Sequence, residues 1–389
     1  MNASLPTQYE YNQVHDWMSK IQRPTPYRVG NARFHIKPRS IMYTFIFLAA
    51  IVVLIVYFLP NRTRRICFQE KEYISDTYPL TVPVLSPEGM TYQIALVADL
   101  DTDSRSPLTA YTWISHLLLG NLTISSDHRH VKIVFNKDTI TLTSTLSQAG
   151  RGMELSDLVV FNGKLYTIDD RTGVIYQIKN NKTLPWVLLT DGDGNTSKGF
   201  KCEWATVKQG RLYVGGLGKE WTTNDGIIVN LNPQWVKSIG PKGDVIHLDW
   251  QKNYNALRHK TRTSYPGYMI HESAMWSEIH QKWFFLPRRV SHQQYEEVAD
   301  ERRAANMLLS TDDNFEKIDI RFVGDVNPTH GFSSFKFIPG TNDEIIVAIK
   351  SEENRGKIAS YIMVFTIYGD IILSEKKISE LKYEGIEFI

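Results

Sequence analysis

The chain has 389 residues, of which 42% are hydrophobic and 12% aromatic, so it can bury a sizeable core as one large domain or two small ones. Its 44 basic and 42 acidic residues nearly cancel, which excludes a general affinity for nucleic acid or anionic lipid and requires any phosphate recognition to be local. The two cysteines, Cys67 and Cys202, exclude a disulfide framework and a cysteine-rich zinc site.

The first predicted element is a transmembrane helix at residues 41–59. These 19 residues carry no charge, and as a helix they are long enough to cross a hydrocarbon core of about 30 Å. We predict a cytoplasmic tail at 1–40, a lumenal stalk at 60–88 and the main domain at 89–389. Basic residues favour a cytoplasmic N-terminus by a small margin. Glycosylation sequons at Asn121, Asn181 and Asn195 follow the helix and agree with this single-pass type II signal anchor.

After the stalk, the sequence predicts a domain made mostly of β-strands. Short runs rich in Val, Ile, Tyr, Phe and Trp alternate with turn pairs, and long helical patterns are scarce. Residues 158–178, "LVVFNGKLYTIDDRTGVIYQI", hold three predicted strands. Asn162-Gly163 is a strong hairpin signal between the first two, and Thr172-Gly173 is a second turn.

A repeated frame organises these strands. Each copy has an oxygen-bearing residue, a short strand, a tight turn and a second strand. Five residues occupy the oxygen-bearing position, 47 to 69 residues apart, which is the size of a four-stranded propeller blade: Ser156, Glu203, Glu272, Ser333 and Glu384. We therefore predict an all-β, five-bladed β-propeller, with a two-sheet sandwich as the alternative. The last copy lacks its second strand, and "YQIALVADLD" near the domain start supplies one, so the two chain ends are expected to pair in one blade.

The repeat predicts a metal centre, because the innermost strand of every propeller blade lines the central channel. Three carboxylates and two hydroxyl groups meeting on one axis repel unless a cation joins them. Oxygen-only ligands select a hard ion, and a roomy ring of mixed oxygens fits Ca²⁺ better than Mg²⁺. The alternative for any one glutamate is a structural ion pair.

Residues that follow the second strands are predicted to surround one mouth of this channel. A second strand runs antiparallel to the inner one, so its end returns to the face where the inner strand begins. The predicted rim mixes acids with bases: Asp99, Asp101, Asp169–Arg171, Gly215–Glu220, Pro287–Arg289 and Lys350–Glu352. Such a rim suits hydrolysis of a phosphoanhydride, because cations neutralise the phosphoryl oxygens while a carboxylate orients the attacking water.

These motifs carry a family resemblance. "ADLDTDSR", "GRGMELSDLVVFNGKLYTIDDRTGVIYQI", "GGLGKEWTT", "HESAMWS", "WFFLPRR", "THGFSSFKFIPGT" and "YEGIEFI" resemble the calcium-activated nucleotidase family, the type of apyrase also found in the saliva of some blood-feeding arthropods. The resemblance implies one central Ca²⁺ and hydrolysis of nucleoside diphosphates, chiefly UDP and GDP, with some triphosphates. It implies the same five calcium ligands as the repeat. It also implies catalytic residues (Asp99, Asp101, Glu154 and Asp169) and substrate-binding residues (Arg171, Lys219, Glu220 and Arg288).

Membrane-anchored members of that family imply a location in the Golgi and endoplasmic reticulum, where the enzyme clears UDP left by glycosyltransferases and so supports glycosylation and proteoglycan synthesis. The family also implies calcium-promoted homodimers. Release of a soluble form by cleavage of the stalk is an alternative. Two other functions stay open: a calcium-stabilised propeller that binds a glycan or protein partner, and an esterase or lactonase that uses His330 or His271 near the metal.

Overall fold

A computed structural model describes residues 26–29, 32–35, 42–43, 46–51 and 78–389. Contacts divide the chain into two units, residues 1–70 and 71–389. In the first, β1 (Pro26–Val29) and β2 (Ala32–His35) form a hairpin, and residues 42–43 and 46–51 are helical. Among the described residues, no helix has the length and apolar character needed to span a bilayer. Most of the predicted span at 41–59 lies outside the described residues, so it stays a prediction.

The second unit contains five antiparallel blade sheets, four of which have four strands, while the fifth has four strands and a short fifth strand beside them. Blade 5 holds the first long strands of the domain, β4 (Gly89–Ala98), β5 (Trp113–Ile124) and β6 (Val131–Ser144). The short strand β3 (Val84–Ser86) pairs beside β4. Blade 1 follows directly with β7 (Leu155–Phe161), β8 (Lys164–Asp169), β9 (Val174–Lys179) and β10 (Lys182–Leu188). The three strands predicted within 158–178 are therefore confirmed. Asn162 and Gly163, with φ of 49° and 69°, form the predicted turn between the first two.

Blades 2 to 4 repeat the same order of strands. Blade 2 comprises β11 (Trp204–Lys208), β12 (Arg211–Gly215), β15 (Trp235–Ile239) and β16 (Val245–Asp249), with a small hairpin, β13 (Trp221–Thr222) and β14 (Ile228–Asn230), inserted between its second and third strands. Helix α1 (Gln251–Lys260) leads to blade 3, which comprises β17 (Tyr268–Ser277), β18 (Lys282–Ser291), β19 (Met307–Thr311) and β20 (Ile318–Phe322), with helix α2 (Glu297–Asp300) after β18. Blade 4 comprises β21 (His330–Phe337), β22 (Ile345–Asn354), β23 (Lys357–Thr366) and β24 (Ile371–Ser379).

The two ends of the domain close the ring, as the sequence predicted. The last strand, β25 (Tyr383–Phe388), pairs antiparallel with β4, with Ile386 opposite Leu96 and Phe388 opposite Ile94. The sheet order of blade 5 is therefore β25-β4-β5-β6. Pairing the ends removes two exposed sheet edges. The five-bladed propeller is confirmed, and the two-sheet sandwich is wrong.

The core is divided among the five junctions between neighbouring blades. Each of the five hydrophobic clusters combines side chains from two adjacent blades. Alternation along β4 illustrates the reason: Ile94 and Leu96 pack against blade 4, whereas Ala95 and Val97 pack against blade 1. The inner strands contact one another in the order β7, β11, β17, β21 and β25, and β25 contacts β7 again. The innermost strands of the five blades thus surround one axis.

The described end of the predicted stalk packs on the propeller. Strand β3 pairs with β4, and the side chain of Leu80 packs against the cluster between blades 5 and 1. The Tyr78 hydroxyl donates to Oε1 of Glu387 at 3.0 Å. The chain therefore joins the propeller beside its closing strand.

Candidate active site and metal centre

Irregular pairing marks four of the five predicted axial ligands. Where β25 pairs with β4, Tyr383 is opposite Ala98 and Gly385 is opposite Val97, so Glu384 is an extra residue with no partner. The same one-residue bulge occurs at Ser156 in β7 and at Ser333 in β21, and the pairing of β17 is irregular around Glu272. A bulge re-aims a side chain out of the regular pleat. The fifth ligand, Glu203, immediately precedes β11.

The contacts of these residues bring them to the same region. Nη1 of Arg288 contacts carboxylate oxygens of both Glu272 and Glu384. The Ser333 hydroxyl lies 3.4 Å from the carbonyl oxygen of Tyr383, the neighbour of Glu384. All five predicted ligands are on inner strands or directly before one, and Ser156, Glu203, Ser333 and Glu384 are buried.

Burial makes the charged forms of the three axial glutamates unfavourable. It raises the pKa of Glu203 to about 8, with Glu272 and Asp170 adding to the increase and Lys201 opposing it. Burial likewise raises the pKa of Glu272, against the effect of Arg288, and holds that of Glu384 well above its usual range. Clustered carboxylates with raised pKa values are stabilised by a bound cation.

The donor set fits a hard divalent cation. It contains carboxylate and hydroxyl oxygens only, and the buried Ser156 hydroxyl has no hydrogen-bond partner among the described residues. Axial glutamates also form ion pairs, as the alternative predicted. Oε1 of Glu203 lies 2.8 Å from Nζ of Lys201, and Oε1 of Glu384 lies 2.9 Å from Nη1 of Arg288. These side chains could therefore hold Ca²⁺ in competition with basic partners.

A second group of carboxylates lies at the mouth. One oxygen each from Asp99, Asp101 and Glu154 lies within 4.8 Å of the others, whereas the axial glutamates form no such close group within residues 78–389. Lys382 pairs with Asp99 at 2.7 Å and also contacts Asp101. Arg151 forms a two-point ion pair with Glu154, at 2.7 and 2.6 Å. Asp99 and Asp101, which were predicted for the rim, thus lie beside Glu154, and two basic side chains neutralise the three acids in part; their catalytic roles stay predictions.

Glu154 has the properties of a proton acceptor near neutral pH. Burial raises its pKa to about 7, with Asp170 and Asp99 adding to the effect and Arg151 opposing it. A general base works best with a pKa near the operating pH. Among the predicted catalytic carboxylates, Glu154 therefore fits this role best.

Asp169 occupies a different environment from the other predicted catalytic acids. Its buried carboxylate accepts hydrogen bonds from the backbone amides of Met153, Arg171 and Thr172 at 2.9 to 3.1 Å. These bonds hold the turn after β8. Its neighbour Asp170 pairs instead with Lys201, and one buried Asp170 oxygen has no hydrogen-bond partner among the described residues. The contacts of Asp170 make it the stronger candidate of the two for the site.

The predicted substrate-binding residues separate into paired and available groups. Glu220 forms an ion pair with the buried Arg258 at 2.7 Å, and this contact holds both side chains. Lys219 donates to the Glu220 carbonyl and lies 4.3 Å from the Tyr295 ring centre, and burial lowers its pKa to about 8. Arg171 has no ion pair with any described carboxylate, and its buried Nε has no hydrogen-bond partner. It is therefore the most available cation of the predicted set.

Sequence reasoning missed several basic residues that contact the axial and mouth carboxylates. Lys201 bridges Glu203 and Asp170, and Lys382 lies 3.8 Å from Glu384 while pairing with the mouth. Both lysines stand two residues before an axial glutamate, in Lys201-Cys-Glu203 and Lys382-Tyr-Glu384. That shared spacing is a signal in the repeat. Arg151, which pairs with Glu154, has no comparable signal.

The histidines named for the esterase alternative make no hydrogen bond or ion pair with a predicted axial ligand in residues 78–389. His271 is buried between Tyr254 and Phe285, with ring centres 5.3 and 5.2 Å away, and burial lowers its pKa to about 3. His330 stacks on Tyr361 at 3.9 Å and pairs with Glu375. These contacts are those of packed side chains.

Comparison with known proteins identifies close relatives. The family model described as Apyrase matches residues 100–389, which include every predicted axial ligand. Soluble calcium-activated nucleotidase 1 of Mus musculus is 56% identical over 325 residues, or 84% of this chain and 80% of that protein. Apyrase apy-1 of Caenorhabditis elegans is 48% identical, covering 82% and 90% of the two chains, and an apyrase of Cimex lectularius is 45% identical, covering 80% and 86%.

Proposed function

Because the chain belongs to the apyrase family and is a nucleotide phosphatase, we propose that it hydrolyses nucleoside diphosphates, chiefly UDP and GDP and some triphosphates, in a calcium-dependent reaction. Water attacks the terminal phosphorus, the phosphoanhydride P–O bond breaks, and the nucleoside monophosphate leaves with that oxygen. One observation carries the proposal: the buried axial side chains, which offer only oxygen ligands, lie next to a channel mouth that contains both acidic and basic side chains.

Calcium dependence is supported by the chemistry of the axial residues. Ser156, Glu203, Glu272, Ser333 and Glu384 would hold the ion, and their oxygens are the ligand type that Ca²⁺ prefers. The Mus musculus relative is named as calcium-activated. A bound Ca²⁺ would neutralise charge on the phosphoryl oxygens.

The residues of the mouth would supply the rest of the catalysis. Glu154, with a pKa near 7, takes a proton from the attacking water, and Asp99 and Asp101 orient that water through its hydrogens. Arg171 and Lys219 bind phosphate oxygens, because Arg171 has no described carboxylate partner and Lys219 remains charged below about pH 8. Asp169 does not contact the substrate in this scheme; it positions Arg171 by fixing the turn that carries it.

Phosphate release from UDP and GDP tests this proposal. The purified full chain in detergent is assayed with Ca²⁺, with Mg²⁺ alone and with chelator. We expect turnover with Ca²⁺, little with Mg²⁺ and none with chelator. Glu203→Gln should weaken the calcium response, and the exposed Glu316→Gln serves as the matched control. Equal turnover with chelator would refute calcium dependence, and turnover of neither diphosphate would refute the substrate class.

The cellular part of the proposal is a membrane-anchored enzyme of the Golgi and endoplasmic reticulum lumen that clears UDP, supports proteoglycan synthesis and forms calcium-promoted homodimers. The sequon asparagines of the propeller are exposed, which supports a lumenal domain: Asn121, Asn181 and Asn195. Enzymatic removal of N-glycans should shift the electrophoretic mobility of protein made in animal cells. Light scattering with and without Ca²⁺ tests the dimer. An unshifted band would remove the support from the sequons, and an unchanged mass would refute calcium-promoted dimerisation.

A further inference from the structure

One guanidinium group joins two of the axial side chains. Nη1 of Arg288 donates to Oε1 of Glu384 at 2.9 Å and also to Oε2 of Glu272, while Nη2 donates to Oε2 of Glu353. The Arg288 side chain is only 4% exposed. In the pairing of β18 with β17, Arg289 is opposite Ile270 and Pro287 is opposite His271, so Arg288 is itself an extra, unpaired residue. The local backbone therefore turns this arginine toward the axis.

Arg288 and a divalent cation on the axis would both bind the carboxylates of Glu272 and Glu384. A calcium ligand oxygen lies about 2.3–2.6 Å from the ion. A guanidinium that keeps hydrogen bonds to both Glu272 and Glu384 would then face a double positive charge across the same two carboxylates, in a buried region where charge repulsion is strong. Each cation is therefore expected to weaken the binding of the other to these two carboxylates.

We propose that Arg288 competes with the axial cation for Glu272 and Glu384, and that cation binding releases Nη1 to bind the terminal phosphate of a nucleoside diphosphate. Metal and substrate then each raise the affinity of the protein for the other, as linkage requires. The choice of a diphosphate rests on the proposed function, whereas the competition does not. Glu353, whose side chain is 36% exposed, holds Nη2 and acts as the pivot.

The other basic neighbours are less suited to this exchange. Lys201 contacts one axial glutamate and has a second partner in Asp170. Lys382 lies 3.8 Å from Glu384 but 2.7 Å from Asp99, so its main partners are at the mouth. Of the described basic residues, only Arg288 bonds two axial carboxylates through one nitrogen.

A purely orienting role for Arg288 predicts the opposite effect on calcium binding. Groups that position metal ligands typically lose about 10–100-fold in metal affinity when they are replaced. Removal of a competitor instead strengthens metal binding. The sign of the change in calcium affinity therefore separates the two roles without any measurement of catalysis.

Calcium titration by calorimetry of the full chain in detergent provides the first test. We expect Arg288→Gln to bind Ca²⁺ about 10-fold more tightly than the unmodified chain, which corresponds to about 1.4 kcal/mol. Arg289→Gln is the matched control, because Arg289 lies next in the chain and, within residues 78–389, pairs with Asp300 at 3.8 Å and with no axial glutamate. The change in calcium affinity caused by Arg289→Gln measures the contribution of a lost positive charge alone, and it should stay below about 3-fold. Weaker or unchanged calcium binding in Arg288→Gln would overturn the proposal.

Folding of each variant is followed by near-UV circular dichroism. If Arg288→Gln does not fold, Arg288→Lys decides, because a single ammonium cannot reproduce the forked contacts of the guanidinium. We expect Arg288→Lys to bind Ca²⁺ more tightly than the unmodified chain, and equal or weaker binding would overturn the competition.

The second test measures coupling with a methylene-bridged UDP analogue that cannot be hydrolysed. In the unmodified chain the analogue should tighten calcium binding about 10-fold, and in Arg288→Gln by less than about 2-fold. Equal coupling in both proteins would overturn the release of Nη1. If the unmodified chain neither hydrolyses UDP nor binds the analogue while Arg288→Gln still binds Ca²⁺ more tightly, the competition holds and the proposed substrate is wrong.

Discussion

Replacement of Gly385 by alanine tests how closely ring closure and the axial site depend on each other. Gly385 lies in β25, directly after Glu384, where β25 passes the innermost strand of blade 1. A Cβ atom there would lie 2.7 Å from Asp157 Cα, Asp157 C and Leu158 N. Carbon atoms pack best at about 3.5–4.0 Å. Because all three contacts are backbone atoms, β25 and β7 must separate by about 1 Å to fit the methyl group.

That separation has two measurable effects. Overpacking of this kind lowers the free energy of unfolding by about 1–3 kcal/mol. It also moves Glu384 away from Ser156, which precedes Asp157 in β7. We expect calcium affinity to fall about 10-fold or more, since ligands displaced by a large fraction of an ångström no longer match the ion.

Urea unfolding and calcium calorimetry measure both effects. Gly356→Ala is the control: Gly356 is a turn glycine with φ of 80°, and an added Cβ would meet nothing within 4 Å. The control should lose about 1–2 kcal/mol from backbone strain alone and keep its calcium affinity. If Gly385→Ala unfolds at the same urea concentration as the unmodified chain and binds Ca²⁺ equally, the inferred proximity of β25, β7 and the metal is wrong.

Four further changes test individual roles. Ser156→Ala should weaken calcium binding by about 10-fold in calorimetry with unchanged urea unfolding, because its hydroxyl has no described hydrogen bond to lose; equal affinity would remove Ser156 from the ligands. Glu154→Gln should lower kcat for UDP by about 10²–10⁴-fold with little change in calcium affinity, and a normal kcat would exclude it as the base. Arg171→Gln should raise KM for UDP about 10-fold, since a charged hydrogen bond to phosphate is lost, and an unchanged KM would assign Arg171 to the turn alone. Burial sets the pKa of Lys219 at about 8, so its positive charge is lost as the pH rises through 8; KM for UDP should increase between pH 7 and 9, and Lys219→Arg should flatten that increase.

The architecture was largely predictable because its determinants are periodic. Hairpin signals such as Asn162-Gly163 and the shared frame around Ser156 and Glu203 define blades without knowledge of the tertiary structure. The last repeat, at Glu384, lacks a second strand, and the strand around Leu96 lacks a first one. This complementary pair predicted the blade that closes the ring. The 69-residue spacing between Glu203 and Glu272 is also explained, because the hairpin β13–β14 and helix α1 are inserted there.

The bulges were not predictable, because they depend on the register between two strands. The repeat frame selects Ser333, but nothing in it indicates that Ser333 is unpaired while Ser334 is opposite Ile349. Arg288 illustrates the consequence: the family resemblance implied a substrate ligand, while its position in a bulge brings it to Glu272 and Glu384.

Partners of buried charges were equally hidden from sequence reasoning. Asp169 and Asp170 are adjacent acids after one strand, yet one holds a turn through backbone amides and the other pairs with Lys201. Their difference arises from the direction of each side chain and from a lysine in the next blade. Only the folded arrangement supplies that information.

Anomalous diffraction from crystals of the protein grown in Ca²⁺ tests the central claim most directly. We predict a single strong peak on the axis, with oxygens of Glu203, Glu272 and Glu384 about 2.3–2.6 Å from it. A peak among Asp99, Asp101 and Glu154, with the axis free of metal, would contradict the account, because those three acids form the competing cluster at the mouth.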